Sequence, residues 1–408
     1  MTPNDQLYGF LKAVYDQVTP ERVYSWIKAD SNGRGILRRM DYAYGFSQEK
    51  HPELKTYKED ENPDGFLNIL YNVVNSKGVK YCDVEERKIA EKITYLTEVC
   101  KTIKEILGKF LVADYRGLNN LQKFVFKECF EKMNKVSLSA TSILPQGTIL
   151  YRLRKMEHPQ RKQPLDLYHI PFTKRYLMGT YRYSIPGYPS LYTSSSVYCS
   201  WEEMNRSNIA DCGFIAFKTK QEIQLLDFCW RFKEDLKNDF EELNSYICKL
   251  PFLIACSMHI RHTRDKFVPE YIFPQLVFKW LMDKMQMTHK RTKGIESTLG
   301  VMYTSNTQNV WKEVLSNAKC APKIGFEDIT NFALLAYLPI DGDFNQYSYD
   351  LGEKLYIATP YWVKEQPSAR ECAYDTLKTI QRHFENPRLK WRDLGEEIKR
   401  VERNIENN

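Results

Sequence analysis

Through the first third of the chain, apolar side chains recur at helical spacing. In CDVEERKIAEKITYLTEVCKTIKEILGKFL, the residues Ile89, Ile93, Leu96, Cys100, Ile103, Leu107 and Phe110 form one stripe with Lys and Glu between them, which predicts a long amphipathic helix. A second stripe uses Leu118, Leu121, Val125, Cys129 and Met133, and Asp114 and Gly117 signal a turn between the two. KEDENPDG at 58–65 reads as a charged loop. SNGRG at 31–35 is a glycine-rich loop with one arginine, but it lacks the full P-loop pattern. Residues 1–140 are therefore expected to be helical.

Near residue 140 the pattern changes period. GTILYRLR, SLYTS, GFIAFKT and VMYTS carry the β-branched and aromatic residues of strands, and turn residues bound them. PQLVFKWLMDKM at 274–285 reads as a helix with Pro274 at its start. Leu377, Ile380 and Phe384 mark another helix near the C-terminus, where the last dozen residues are charged throughout. The expected fold class is α+β: a helical domain at 1–140, a mixed β core with flanking helices at 145–365, and a helical extension at 366–408.

Composition narrows the class. With 408 residues and 43% apolar content the chain can bury a sizeable core, and a formal charge of +7 suits a phosphate-bearing ligand as well as it suits a solvated surface. The 10 cysteines show no CxxC pair and no Cys/His cluster at zinc spacing, which fits small buried hydrophobes in a reducing compartment. No secretory leader and no long apolar run is present, so a cytoplasmic location without membrane partners is expected. His259 and His262 have metal-like spacing but no third ligand, so no metal is expected. GxGxxG, HExxH and GxSxG are absent, which weighs against a Rossmann dinucleotide site, a zincin and an α/β-hydrolase.

The densest chemistry lies in RYSIPGYPSLYTSSSVYCSWEE, from Arg182 to Glu203. Pro186 and Gly187 supply a turn whose backbone can approach a ligand, SLYTS follows as a strand, and Ser195 or Ser196 can cap a helix beginning near Val197. Glu202 and Glu203 lie about 100° apart on that helix, so one of them at most faces a cleft. Glutamates on helices are solvated by default. The company argues otherwise: Arg152, Arg154, Arg175 and Arg182 lie near the strands, and guanidinium forks match phosphate oxygens.

With IPF and a following arginine, RYSIPGYPSLYTSSS, CSWEE, FVPEYIFPQLVFKWL and GVMYTS in this order, the chain resembles the RES domain, named for Arg, Glu and Ser, over residues 145 to about 340–365. The helical N-terminal region resembles the HEPN-like domains that precede some long RES proteins. It has no RxxxxH motif, which disfavours a ribonuclease. The resemblance implies an ADP-ribosyltransferase-like fold with a cleft for NAD, and an enzyme that breaks the nicotinamide glycosidic bond by hydrolysis or phosphorolysis. NAD would be a substrate, with inorganic phosphate as a co-substrate in the second case and no retained cofactor. Family members act as toxins, often in toxin–antitoxin pairs, so an antitoxin-like inhibitor and a role in phage defence come with the resemblance. A homo-oligomer is compatible with it, and nucleic acid is not an expected partner.

Position by position, the family's arginines fall on Arg152 and Arg182, its tyrosine on Tyr192, its glutamate on Glu203 with Glu202 as the alternative, and its serine on Ser305. Arg175 is a further substrate-binding candidate. In these roles the carboxylate would hold ribose hydroxyls and stabilise an oxocarbenium-like transition state. The arginines would grip phosphates, Tyr192 would stack on nicotinamide, and Ser305 would orient a ligand group. The segment RKMEHPQRKQPLDLYHIPF and the length of 408 residues depart from short toxins. A protein mono-ADP-ribosyltransferase and a non-catalytic nucleotide or nucleic-acid binding module are the alternatives. His169 reads as a satisfied structural histidine near the motif.

Overall fold

The computed structural model describes residues 3–28, 35–46, 65–76, 82–123, 125–126, 141–260, 267–287, 298–316, 324–336, 346–367 and 370–406. The first four residues of SNGRG, most of the 58–65 loop, Cys129, Met133 and His262 lie outside them. Contacts divide the chain into two units, Met1–Ala140 with Arg231–Val277, and Thr141–Trp230 with Phe278–Asn408. These units differ from the three segments expected from sequence: residues 231–277 group with the helical region, and residues 366–408 with the β unit.

In the first unit the predicted stripe is realised as the helix Asp83–Leu111, with Ile89, Ile93, Leu96, Cys100, Ile103 and Leu107 buried. The helix Pro20–Ile27 starts by the expected chemistry: Thr19 accepts the amide of Arg22 and Pro20 occupies the first turn. The helix Phe240–Ser257 packs on Pro3–Gln17, Pro20–Ile27 and Asp83–Leu111, and is buried almost all round from Leu243 onward. Arg39 is buried in an ion pair with Glu270 and also donates to the carbonyl of His259 at 2.7 Å.

The second unit is built on a mixed sheet of nine described strands. They are β1 (Thr141–Leu144), β2 (Ile149–Lys155), β3 (Ser190–Ser194), β4 (Cys212–Thr219), β5 (Ile223–Phe228), β6 (Gly300–Thr304), β7 (Thr330–Leu335), β8 (Leu355–Ile357) and β9 (Arg392–Asp393). Their spatial order is β1-β5-β6-β7-β3-β2-β4-β8-β9, and only β5 and β6 run parallel. The fold class is therefore α+β, with a helical N-terminal region.

Both faces of the sheet are covered. Leu150, Leu191, Ile215 and Phe217 join one core, while Tyr151, Leu153, Phe214 and Ala216 join the other, which explains why GFIAF is apolar throughout rather than alternating. Leu377, Ile380 and Phe384 pack into the second core and Leu394 and Ile398 into the first, so the C-terminal segment seals both faces. Gly300 lies close against β7: a Cβ there would meet the carbonyl oxygen of Ala333 at 2.2 Å.

The sheet is weakest at its middle. β2 pairs with β4 over seven residues, but it meets β3 at the single pair Tyr151↔Ser194. No further pair joins β2 to β3 among the described residues, and Arg152 and Tyr192 lie beside this break. The predicted helix at 274–285 runs Ile272–Met287, with Pro274 inside its first turn, where no intrahelical donor is needed. Among the described residues, no helix is long and apolar enough to cross a membrane, and no group of three or more His, Cys, Asp or Glu could hold a metal ion.

Candidate active site

Strand β3 ends at Ser194 and the helix Val197–Glu203 follows almost at once. Of the two serines able to cap it, Ser196 does so: its Oγ accepts the amide of Cys199 at 3.0 Å and donates to the carbonyl of Asp328 at 2.6 Å. This short helix carries both glutamates, and their separation around its axis sends them to different surroundings. Glu202 is buried and paired with Arg206, whose Nε lies 2.8 and 3.0 Å from its two oxygens. Glu203, the last residue of the helix, keeps an exposed surface. The alternative assignment to Glu202 is therefore not supported by its position.

The carboxylate of Glu203 is held asymmetrically. Its Oε1 accepts Ser305 Oγ and Asn331 Nδ2, each at 2.6 Å. Its Oε2 takes no hydrogen bond from any described residue. Enclosure by surrounding protein pushes the Glu203 pKa above the usual carboxylate range, while donation from Ser305 and Asn331 and the charge of Arg182 oppose the rise.

Asn331 escaped the sequence reading. It lies on β7, paired with Ser194 of β3 on one side and Tyr303 of β6 on the other. Ser194 Oγ and Cys199 Sγ donate to its Oδ1 at 2.6 and 3.3 Å, which turns its amide nitrogen toward Glu203. Ser305 follows directly after β6 and is fully buried. Its amide donates to Ile329, its carbonyl accepts Trp311 Nε1 at 2.8 Å, and its hydroxyl is left for Glu203.

Around this pair stand the other candidates. Tyr303 is buried; burial raises its phenol pKa, the charges of Glu203 and Tyr192 add to the rise, and that of Arg182 opposes it. The ring of Tyr183 lies 4.7 Å from that of Tyr303, and the Tyr183 amide donates to the hydroxyl of Tyr192 at 3.1 Å. Tyr192 is half-buried and has the exposed ring of Tyr181 beside it at 5.9 Å. Arg152 sits where β2 and β3 separate and donates to the backbone carbonyl of Tyr192 at 2.6 Å. Its Nε is buried without a hydrogen-bond partner, and among the described residues no carboxylate pairs with it. Burial, with the like charge of Arg154, pushes its pKa down to about 10. A desolvated guanidinium lacking an acid is poised to take an anion.

Arg175 is not drawn into this group: its Nε donates to Phe172 of its own 3-10 turn at 3.1 Å. His169 is buried and neutral, its pKa pushed down to about 3 by burial. Nε2 accepts the amide of Ser348 and Nδ1 bonds the carbonyl of Ile170, both at 2.8 Å. An open groove of about 1040 Å³ at the far end of β2, lined by Lys155, His158 and Trp362 among others, contains none of the candidate residues.

Fold and site together define an α+β protein in which a short helix after β3 presents a carboxylate fixed through one oxygen, with an arginine on β2 that pairs with no described carboxylate. In an alignment of 166 residues that covers 38% of the chain, it is 32% identical to a protein of Bacillus subtilis (strain 168) named "Putative toxin YopC". The matched stretch is 35% of that protein, so the chain spans about a third of the length of the curated relative it matches. No family model matches the chain, and no solved structure does.

Proposed function

We propose that the β unit degrades NAD by breaking its nicotinamide glycosidic bond, and that the protein acts as a toxin or defence effector. The single observation that carries this reading is the state of Glu203: one oxygen locked by Ser305 and Asn331, on a residue that itself keeps an exposed surface. A carboxylate so held can accept a ribose hydroxyl and face the positive charge that develops as nicotinamide leaves. Arg152 supplies a cation for the pyrophosphate or for an attacking phosphate, and Tyr192 offers a ring for the base. The resemblance to RES domains supports the same chemistry, and the name of the Bacillus relative supports the toxin role.

A charge-assisted hydrogen bond is worth about 1.5–3 kcal/mol, or roughly one to two decades in rate if made only in the transition state. Losing the charge as well makes Glu203→Gln the decisive variant. We expect purified protein to consume NAD and release nicotinamide, and Glu203→Gln to be slower by on the order of 100-fold or more with its melting curve preserved. Dependence on added inorganic phosphate would identify phosphorolysis, and independence hydrolysis. Label from adenine-tagged NAD appearing on protein would replace this reading by a protein ADP-ribosyltransferase. No turnover and no transfer by folded protein would leave a binding module.

A further inference from the structure

We propose that Arg206 is a positioning residue for Glu203, because it closes a ring of contacts that fixes the carboxylate against Ser305; Glu203 as the catalytic carboxylate is taken from the proposed function. Immediately after the site helix, Asn205 and Arg206 both adopt left-handed backbone, each with φ of 52°. Two consecutive non-glycine residues in that region are disfavoured and persist only where their surroundings hold them. Here the amide of Asn205 donates to Glu202 at 2.9 Å and that of Arg206 to Trp201 at 3.0 Å, closing the helix end and turning the Arg206 side chain back beneath it.

The guanidinium then uses separate edges for two acids. Its Nε engages Glu202, and its Nη2 donates to Glu313 Oε1 at 2.6 Å. Glu202 is 1% exposed and Glu313 12%, so both carboxylates depend on the contact. The hydroxyls of Tyr198 and Tyr374 satisfy the other oxygen of Glu313.

Glu313 lies on the helix Gln308–Ser316, which also carries Trp311, and Trp311 holds the carbonyl of Ser305. The contacts therefore run from Glu203 to Ser305, through Trp311 and Glu313 to Arg206, and back through Glu202 to the same helix. The functional hydrogen bond is one edge of that ring. A planar fork can span two carboxylates at fixed separation, which a lysine cannot.

Misplacing a catalytic group by about 1 Å can cost on the order of 100-fold in rate. The test compares Arg206→Met, Arg206→Lys, Glu313→Leu and Glu313→Gln in the full chain, with Lys312→Ala on the exposed side of the same helix as control. Steady-state NAD turnover is measured per folded molecule, alongside hydrogen exchange of peptides covering 197–207 and 300–316. Arg206→Met, Arg206→Lys and Glu313→Leu are expected to lower kcat about 100-fold with KM within about threefold, and to speed exchange in both peptides. Glu313→Gln keeps both acceptor oxygen and shape and is expected to recover most of kcat. Unchanged kcat per folded molecule, or faster exchange in the 197–207 peptide alone, would overturn the proposal. If wild-type protein turns over no NAD, the functional reading fails, and coupled exchange in the two peptides still decides whether the ring exists.

Discussion

The two oxygens of Glu203 have different surroundings, and the donors on Oε1 bear on the protonation of the whole carboxyl group. Ser305 and Asn331 donate to the charged form and so oppose the rise in pKa caused by enclosure. If turnover needs the carboxylate, activity falls as pH drops through its pKa, and removing a donor moves that fall to higher pH. Asn331→Leu, close in shape but without a donor, is expected to shift the acid limb of kcat to higher pH. A pH–rate profile measured beside that of wild type checks this, and an unmoved limb in folded protein refutes it. The asymmetry was only half legible beforehand. Glu203, Ser305, Arg152, Arg182 and Tyr192 stand in local motifs, whereas Asn331 lies 128 residues beyond Glu203 and is brought there by the Ser194↔Asn331 pairing of β3 with β7. No local pattern encodes that register.

Seven residues of helix cannot hold themselves, because so few internal bonds repay the ordering of the first turn. The helix bearing Glu203 depends instead on its cap and on what it packs against. Ser196 serves as cap and also ties the helix to Asp328, so Ser196→Ala is expected to cost about 1–2 kcal/mol in urea unfolding. A loss below about 0.5 kcal/mol would mean the packing of Val197, Tyr198 and Trp201 suffices without the cap. The cap and the strand before it were readable, since SLYTSSS combines alternation with N-cap residues. GTILYRLR, GFIAFKT and VMYTS likewise appear as β2, β4 and β6. β7, TNFALL, did not announce itself: it is buried at every position, and such a run carries no alternation to distinguish strand from helix. β9 has two residues and exists only because β8 offers an edge.

At the scale of the whole chain, the boundary near residue 140 was visible as a change of period, but the return of residues 231–277 to the helical unit was not. Helical stripes do not state which core they serve. Phe240–Ser257 is buried on nearly every side because helices from the first 111 residues pack on it, and from Ser245 through Ser257 every residue is buried. Removing residues 1–140 would leave that surface without partners, at about 1.5–3 kcal/mol for each large side chain exposed. The fragment 141–408 is therefore expected to aggregate, although its sheet is complete. Replacing residues 231–277 within that fragment by a short Gly/Ser loop is expected to restore solubility. Residues 278–299 remain to carry the crossover that parallel neighbours β5 and β6 require, which takes a dozen or more residues. Size-exclusion profiles and thermal melts of the two fragments decide the matter. If 141–408 is monodisperse and melts cooperatively without the replacement, the inserted helix does not depend on the N-terminal region, and the two-unit division fails as a description of how the chain folds.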